Sequence, residues 1–426
     1  MQYCKRCLYP ENHPLGIYID ENGICSGCLV HEEKDEIDWR EKGKELDSLF
    51  SKYKDRTGSF YDCVIPVTGN SDSFFVVDVV KNRYGLNPLL VTYNTHFNTK
   101  VGVRNLARLI TKLDCDHMML TVSPDIVKKV TKIAMHKLGD IYWQVLAGSQ
   151  TFPVQVATKF KIPLVIWGVN GWLDQVGMFS HHDRVEMTKK VRKEHSLRRM
   201  DVDELFDGED QLTWKDKQPF TYPSDVQLEK SRVRGIYLGN FLRWDSQQQS
   251  EDMIEKYDYE TMEQPRTFNT YESIHCWNSA GTHDYIKFLK FGYGKATDHA
   301  SRDIRLKRLS REDGIDLVQK FDAEIPYVSL RLFLDWIDMT ENEFYKIIEP
   351  FRDPLVWNKN KNGEYTRIDK IENHISDNNV DNSRLIIKDR KKYFHSVLLE
   401  SEDENEGYIL MGRTYIDETN YKAIKG

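Results

Sequence analysis

The sequence predicts an α/β fold: a parallel sheet with helices on both faces, a small cysteine-bearing knuckle ahead of it and a mainly helical region behind it. Three observations predict this. Between residues 60 and 170, short apolar runs alternate with helical patterns. Two Cys-x-x-Cys pairs stand within the first 28 residues. From 216 to about 350, strand-like runs give way to helix starts and helical spacing.

The knuckle comes first. Cys4 and Cys7 form one pair, Cys25 and Cys28 the other. Each pair sets two thiolates on a tight turn, and two such turns give the four-sulfur tetrahedron that zinc prefers. The spacing is that of a zinc ribbon. Such a segment has little core of its own, so the metal supplies much of its folding energy. Unliganded thiols or a redox pair are the alternatives. Residues 31–58 are charged, with Ile37, Trp39, Leu46 and Leu49 at helical spacing, and read as a linker helix.

The alternating region opens on Asp62–Phe75: an apolar strand, the turn Thr68-Gly69-Asn70-Ser71-Asp72-Ser73, then a helix to about Gly85. Glycine and asparagine let the turn bend tightly, and its amides precede a helix N-terminus, where an anion is favoured. The choice there lies between a phosphate site and an ordinary capped turn. Strands follow at Asn87–Tyr93, His117–Val122 and Ile162–Gly168. Helices are expected over 102–110, from Ser123-Pro124 onward, and over 149–160. Strands buried on both faces and separated by helices imply a Rossmann-like parallel sheet with right-handed crossovers. Ligands bind such sheets beyond the carboxyl ends of the strands. That puts Thr68–Ser73, Asn94 and the Gly168–Asn170 turn on one rim.

Residues 189–199 are the densest basic stretch, read either as a solvated face or as a phosphate contact. Lys290, Lys295, Arg302 and Arg305 suggest a second anion-binding cluster, with Arg302 and Arg305 three apart on one helix face. A solvated basic face is the alternative. Ser310 and Thr340 read as helix caps. Beyond 351 the chain turns polar, with short strands possible at 393–399 and 408–415.

Whole-chain properties exclude some classes. At 426 residues the chain holds two or three domains. A net charge of -7 argues against a general nucleic-acid binder. No run reaches the roughly 20 apolar residues that span a bilayer. The start lacks an apolar signal segment, so cytoplasm is the expected location.

The turn at 68–73 resembles the pyrophosphate-binding loop Ser-Gly-Gly-x-Asp-Ser of the ATP-pyrophosphatase (PP-loop, adenine nucleotide alpha hydrolase) superfamily. Further motifs narrow the likeness: the double Cys-x-x-Cys, Leu86–Thr92, Phe152–Ala157, Ile162–Gly168, Tyr222–Asp225 and Lys290–Asp298. In this order they resemble the N-acetyl sugar amidotransferase family, over roughly residues 1–357. The resemblance implies conversion of a sugar acetamido group to acetamidino, in surface-polysaccharide or flagellin-glycan synthesis. AMP is transferred to the amide oxygen, pyrophosphate leaves, and ammonia displaces AMP. It implies ATP and Mg2+ beside the structural Zn2+, and an N-acetylated sugar or nucleotide sugar as substrate. It also implies a separate glutaminase with a barrel-shaped ammonia-channel subunit. Asp72 then helps hold magnesium and Ser73 a phosphate. Thr68, Gly69, Asn70, Ser71, Asn94, Gly168 and Asn170 complete the nucleotide site. Lys290, Lys295, Arg302 and Arg305 are the expected substrate contacts. The implied division is a zinc ribbon at 1–40, an ATP-binding domain at 41–215, a helical substrate domain at 216–357 and a polar extension at 358–426. The chain departs from the family pattern at Asn70, Ser71, Val169-Asn170 and Gln144–Leu146. A non-catalytic relative that binds a nucleotide sugar or a pathway partner, and an RNA-modifying PP-loop enzyme, are the two rival expectations.

Overall fold

Alternation within the strands decides which face each side chain covers. The computed structural model describes residues 1–377, apart from 56, 59 and 210, and the backbone of 408–409. The strands are β1 (Cys63–Pro66), β2 (Pro88–Tyr93), β3 (Asn98–Thr99), β4 (His117–Leu120), β5 (Leu164–Trp167) and β6 (Arg234–Tyr237). Five of them make one parallel sheet in the order β4-β2-β1-β5-β6. This is a doubly wound order that reverses direction at β1, where ligands bind such sheets.

Cys63 and Ile65 of β1, Leu90 of β2 and Leu164 and Ile166 of β5 share one apolar cluster. It includes Leu46 and Phe50 of α2 (Trp39–Tyr53), Phe74 and Val77 of α3 (Ser71–Val77), and Leu109 of α4 (Lys100–Lys112). Their neighbours in sequence, Val64, Leu89, Val91 and Val165, face the other way onto Val156 and Ala157. Those two belong to α6 (Trp143–Phe160), which follows α5 (Pro124–Leu138). Burying each such aliphatic side chain contributes about 1.5–3 kcal/mol, so the two-faced pattern fixes the register. Ahead of the sheet, α1 (Ser26–Glu36) follows the knuckle.

Behind the sheet come α7 (Ser246–Tyr257), α8 (Thr282–Phe291), α9 (Lys295–Arg305), α10 (Arg311–Phe321), α11 (Tyr327–Ile337) and α12 (Glu341–Ile348). Ile286, Leu289, Phe333, Trp336 and Phe344 pack with Val127 and Val130 of α5. The helical region therefore lies over the α5–α6 layer and is not separated from the sheet. The knuckle is held against it as well: Tyr9 donates to Asp298 at 3.0 Å, and the Leu8 amide donates to Ser301 at 3.2 Å.

Several elements differ from their sequence reading. The sheet takes its fifth strand from Arg234–Tyr237, within the stretch read as mainly helical. The expected linker helix is two helices, because Asp38 accepts from the amides of Arg40 and Glu41 and starts α2 afresh. α2 is no linker, since its apolar side is part of the sheet core. α6 starts six residues before the expected 149 and carries Pro153 in its interior. Helix capping at Thr340 follows expectation, with a complete capping box to Glu343. Tyr408–Ile409 pairs antiparallel with β3; the rest of the expected strands at 393–399 and 408–415 lies outside the described residues. Among the described residues no helix is long and apolar enough to cross a membrane.

Candidate functional site

The turn after β1 is closed by its own hydroxyls. The Thr68 amide donates to Ser73 Oγ at 2.8 Å, and the Asn70 amide donates to Thr68 Oγ1 at 3.3 Å. The Ser73 and Thr68 hydroxyls lie 3.5 Å apart, each able to donate to the other. At the head of α3 the Ser73 amide donates to the Asn70 carbonyl at 3.1 Å and the Ser71 amide lies against the Tyr259 hydroxyl, which leaves the Asp72 amide in the position that takes a phosphate. Gly69 is required by close approach: a Cβ there would lie 2.1 Å from the Gly102 carbonyl oxygen. Gly102 in turn packs on His275, whose Cα would lie 2.4 Å from a Cβ at 102. The turn, α4 and the 271–277 segment are thus stacked backbone on backbone.

Asp72 is the charged group of the turn. Burial, with Glu272 beside it, raises its carboxyl to about 7, despite the opposing pull of Arg302. Its Oδ1 has no hydrogen-bond partner. Glu272 belongs to a chain of contacts. Thr267 Oγ1 lies 2.7 Å from His299 Nδ1, His299 Nε2 lies 3.2 Å from Glu272, and Arg302 pairs with Glu272 at 2.8 Å. Burial pushes the Glu272 carboxyl up, but Arg302 and His299 outweigh it and hold the group ionised. An unpartnered Asp72 oxygen beside an ionised Glu272 is a hard-oxygen donor set that suits magnesium. Sequence reasoning missed Glu272 and His299. They lie in no periodic pattern, and some 200 residues of chain separate them from Asp72.

The other expected nucleotide residues divide. Ser71 turns away from the rim and accepts from Ser250 of α7 at 2.7 Å. Asn94 is committed to the rim itself: it donates to Thr121 and accepts from the His96 amide and from Asn98. Asn170 accepts from the Trp172 amide at 3.0 Å and leaves Nδ2 without a partner. Gly168 lies at the end of β5, where a Cβ would meet the Trp244 ring at 3.1 Å. Asn70 Oδ1 is also unpartnered.

The four basic residues expected to contact substrate do not come together. Lys290 donates to the carbonyls of Leu138 and Gly139, at the end of α5. Lys295 donates to the Ser279 carbonyl at 2.8 Å. Arg302 is the partner of Glu272. Arg305 lies under the knuckle, donating to Cys28 Sγ at 3.4 Å, to Cys25 Sγ at 3.5 Å and to the Gln175 carbonyl at 2.7 Å. Of the basic run 189–199, Arg192 is buried on Asp201 and Lys193 pairs with Glu204.

The four knuckle sulfurs lie within 4.8 Å of one another, and all four cysteines are buried. Cys4 and Cys28 sulfurs are 3.9 Å apart, those of Cys7 and Cys25 3.5 Å. Four thiolates at about 2.3 Å from one zinc ion sit about 3.8 Å apart, so the donor set fits the metal. Amides of Cys7 and Cys25 donate to Cys4 Sγ at 3.4 and 3.3 Å, and Arg305 offsets the negative charge of a four-thiolate site.

Comparison with known proteins bears on the second half of the chain. Residues 251–372 match the family model described as LPS biosynthesis protein WbpG-like, C-terminal domain. A curated relative, an uncharacterized protein of Methanocaldococcus jannaschii, is 24% identical over 117 residues, covering 28% of this chain and 42% of that protein. The chain thus spans less than half the length of this curated relative. Among solved structures, the NMN synthetase of Francisella tularensis aligns at 16% identity over 51% of this chain and 87% of its own, with a TM-score of 0.26. The NH3-dependent NAD synthetase of Campylobacter jejuni aligns at 13% identity over 46% and 95%, with a TM-score of 0.27. The segment that places Glu272, His299 and Arg302 against the turn is therefore the matched one, similar to the C-terminal domain of WbpG-like LPS biosynthesis proteins and consistent with the resemblance to the N-acetyl sugar amidotransferases.

Proposed function

We propose that the protein is an ATP-dependent amidotransferase that converts the acetamido group of an N-acetylated, nucleotide-linked sugar to acetamidino. The observation that carries the reading is the meeting of the Thr68–Ser73 turn with Glu272 and Arg302 of the WbpG-like domain. An amide oxygen is a poor leaving group. Adenylation makes it a good one: the amide oxygen attacks the α-phosphorus of ATP, pyrophosphate departs, and an O-adenylyl imidate forms. Ammonia then adds to the imidate carbon, and AMP carries the oxygen away. In this scheme the turn amides and Ser73 hold the pyrophosphate, and Arg302 offsets charge that builds on it. Asp72 and Glu272 would hold magnesium, which neutralises phosphate charge when bound. Ammonia comes from a separate glutaminase through a barrel-shaped channel subunit, and the cytoplasm is the place where ATP and nucleotide sugars meet.

A second reading, a non-catalytic relative that binds a nucleotide sugar, is favoured by Ser71 and Val169. Ser71 is buried on Ser250, and Val169 offers no carboxylate on the rim. Equilibrium binding of ATP with magnesium to the zinc-loaded protein, beside Asp72→Ala, decides between them. Binding lost in the variant, followed by pyrophosphate release with a nucleotide sugar and ammonium, supports the enzyme. No binding at millimolar ATP sinks it.

A further inference from the structure

A second group of buried polar atoms lies behind His275, apart from the turn. Asn278, in the short helix Trp277–Ala280, is fully buried, yet neither its Oδ1 nor its Nδ2 has a partner. His275 Nδ1 is in the same state, while His283 Nδ1 has only the Asp140 carboxylate at 3.8 Å and Thr95 Oγ1 only the Cys276 thiol. These residues are neighbours. The Thr95 side chain lies against the Cys276 thiol, whose sulfur accepts from the Ser279 amide at 3.5 Å. Tyr142 reaches Ser279 and Cys276 and stacks on His283, with ring centroids 4.5 Å apart. Lys295 donates to the Ser279 carbonyl at 2.8 Å. An unpartnered buried polar atom costs about 1–3 kcal/mol. Several of them in one cluster indicate bonds that something other than the chain completes.

Charge narrows what that is. Burial holds His275 and His283 down at about 4, so both rings are neutral near pH 7. Thr95, Asn278 and two neutral imidazoles are uncharged donors and acceptors, and the charges behind them, the Asp140 carboxylate by His283 and the Lys295 ammonium on Ser279, are of opposite sign, so the set suits hydroxyls and an amide and not a bare anion. A cation stands at the edge. Arg198 is exposed and has no ion-pair partner among the described residues, and its charge is felt by Asp140, His283, Lys290 and Tyr293. Its backbone is held in the left-handed region at φ 49°, followed by Arg199 at 66°. For non-glycine residues that conformation costs about 1–2 kcal/mol each. The neighbouring Arg192 and Lys193 are tied down on Asp201 and Glu204. The cluster is also one backbone layer from the phosphate turn, through Gly69, Gly102 and His275.

We infer that Thr95, Tyr142, Asn278 and His283 form the subsite for the acetylated sugar, and that Arg198 at its edge takes the diphosphate carrying that sugar. This rests on the amidotransferase reading and adds to it which residues meet the acceptor. None of them is among the four basic residues singled out from the sequence.

The test is calorimetric titration of the zinc-loaded full chain with four probes: UDP-N-acetylglucosamine, UDP-N-acetylgalactosamine, UDP and ATP with magnesium. At least one UDP-sugar binds the wild type. Arg198→Ala weakens that sugar and UDP by about tenfold, the loss of one charge-assisted contact, and leaves ATP affinity unchanged. Asn278→Ala weakens the sugar but not UDP. The inference is overturned if ATP binds and neither UDP-sugar does, or if Arg198→Ala leaves UDP-sugar affinity unaltered. It is also overturned if a folded Asn278→Ala binds the sugar as before, which would mean that ordered water alone completes the cluster. Should Asn278→Ala not fold, the exposed Arg198→Ala decides the matter. A protein that binds the sugar through these residues and not ATP keeps this inference and loses the ATP-dependent reading.

Discussion

At the scale of single residues, Asp72 carries the most information. Burial, then Glu272, lifts its carboxyl to about 7, so its charge changes across the physiological range. The free acid does not ligate magnesium well and the carboxylate does. Affinity for ATP with magnesium should therefore rise between pH 6 and pH 8, by about tenfold for a single ionisation. Asp72→Asn should bind weakly with a flat pH profile; fluorescence titration at both pH values checks this. The sign for stability is opposite. A carboxyl whose folded value lies above its unfolded one contributes stability that is full below about 4 and is lost as pH rises through 7. The metal-free turn should thus be less stable at pH 8 than at pH 6, and added magnesium should recover part of the loss in a thermal melt. Gly102 gives a second residue-scale prediction. With a Cβ 2.4 Å from the His275 Cα, Gly102→Ala has to push backbone apart. It should cost about 1–3 kcal/mol in denaturant unfolding and weaken ATP binding, because the turn rests on the same stack.

At the scale of elements, the strands that sit deep in the sheet were legible, because a run buried on both faces is apolar throughout. β6 was not. Arg234-Gly235-Ile236-Tyr237 is short, begins exposed and lies at the sheet edge, so it carries no such run. The turn at 68–73 was legible because a strand, a polar turn and a helix are contiguous in sequence. Its partner Glu272 was not, because a carboxylate brought in from a remote segment leaves no local pattern. The basic residues misled for a related reason: sequence shows the charge of Lys290 or Arg305 but not whether carbonyls or thiolates wait for it inside. Arg305 makes the element-scale prediction. It joins α9 to the knuckle through three sulfurs and also donates to the carbonyls of Asp174 and Gln175. Arg305→Met keeps much of the volume and removes every one of these bonds. Zinc should be lost faster to a chelator, by about ten- to a hundredfold for a removed outer-shell partner; release followed with a colorimetric zinc indicator reads this directly.

At the scale of the molecule, the knuckle is more than an appendage. Its contacts run to α9 through Tyr9 and Leu8, to the loop after α12 through Asn12–Asp353, and to Arg311 of α10 through the Cys4 carbonyl. α9 in turn carries Arg302 and His299, which hold Glu272 against Asp72. One path of packed elements therefore leads from the cysteines to Glu272 and Asp72, with about one helix between them. If the metal supplies the folding energy of the knuckle, its removal should be felt at the turn. Stripping zinc with a chelator should increase amide hydrogen exchange in 1–28, then in 295–305 and 271–277, while β1, β2 and β5 stay protected. ATP affinity should fall together with protection in 271–277. If the metal-free protein instead exchanges faster only within 1–28 and binds ATP as before, the knuckle serves some end other than holding the nucleotide site, and the path through α9 transmits nothing.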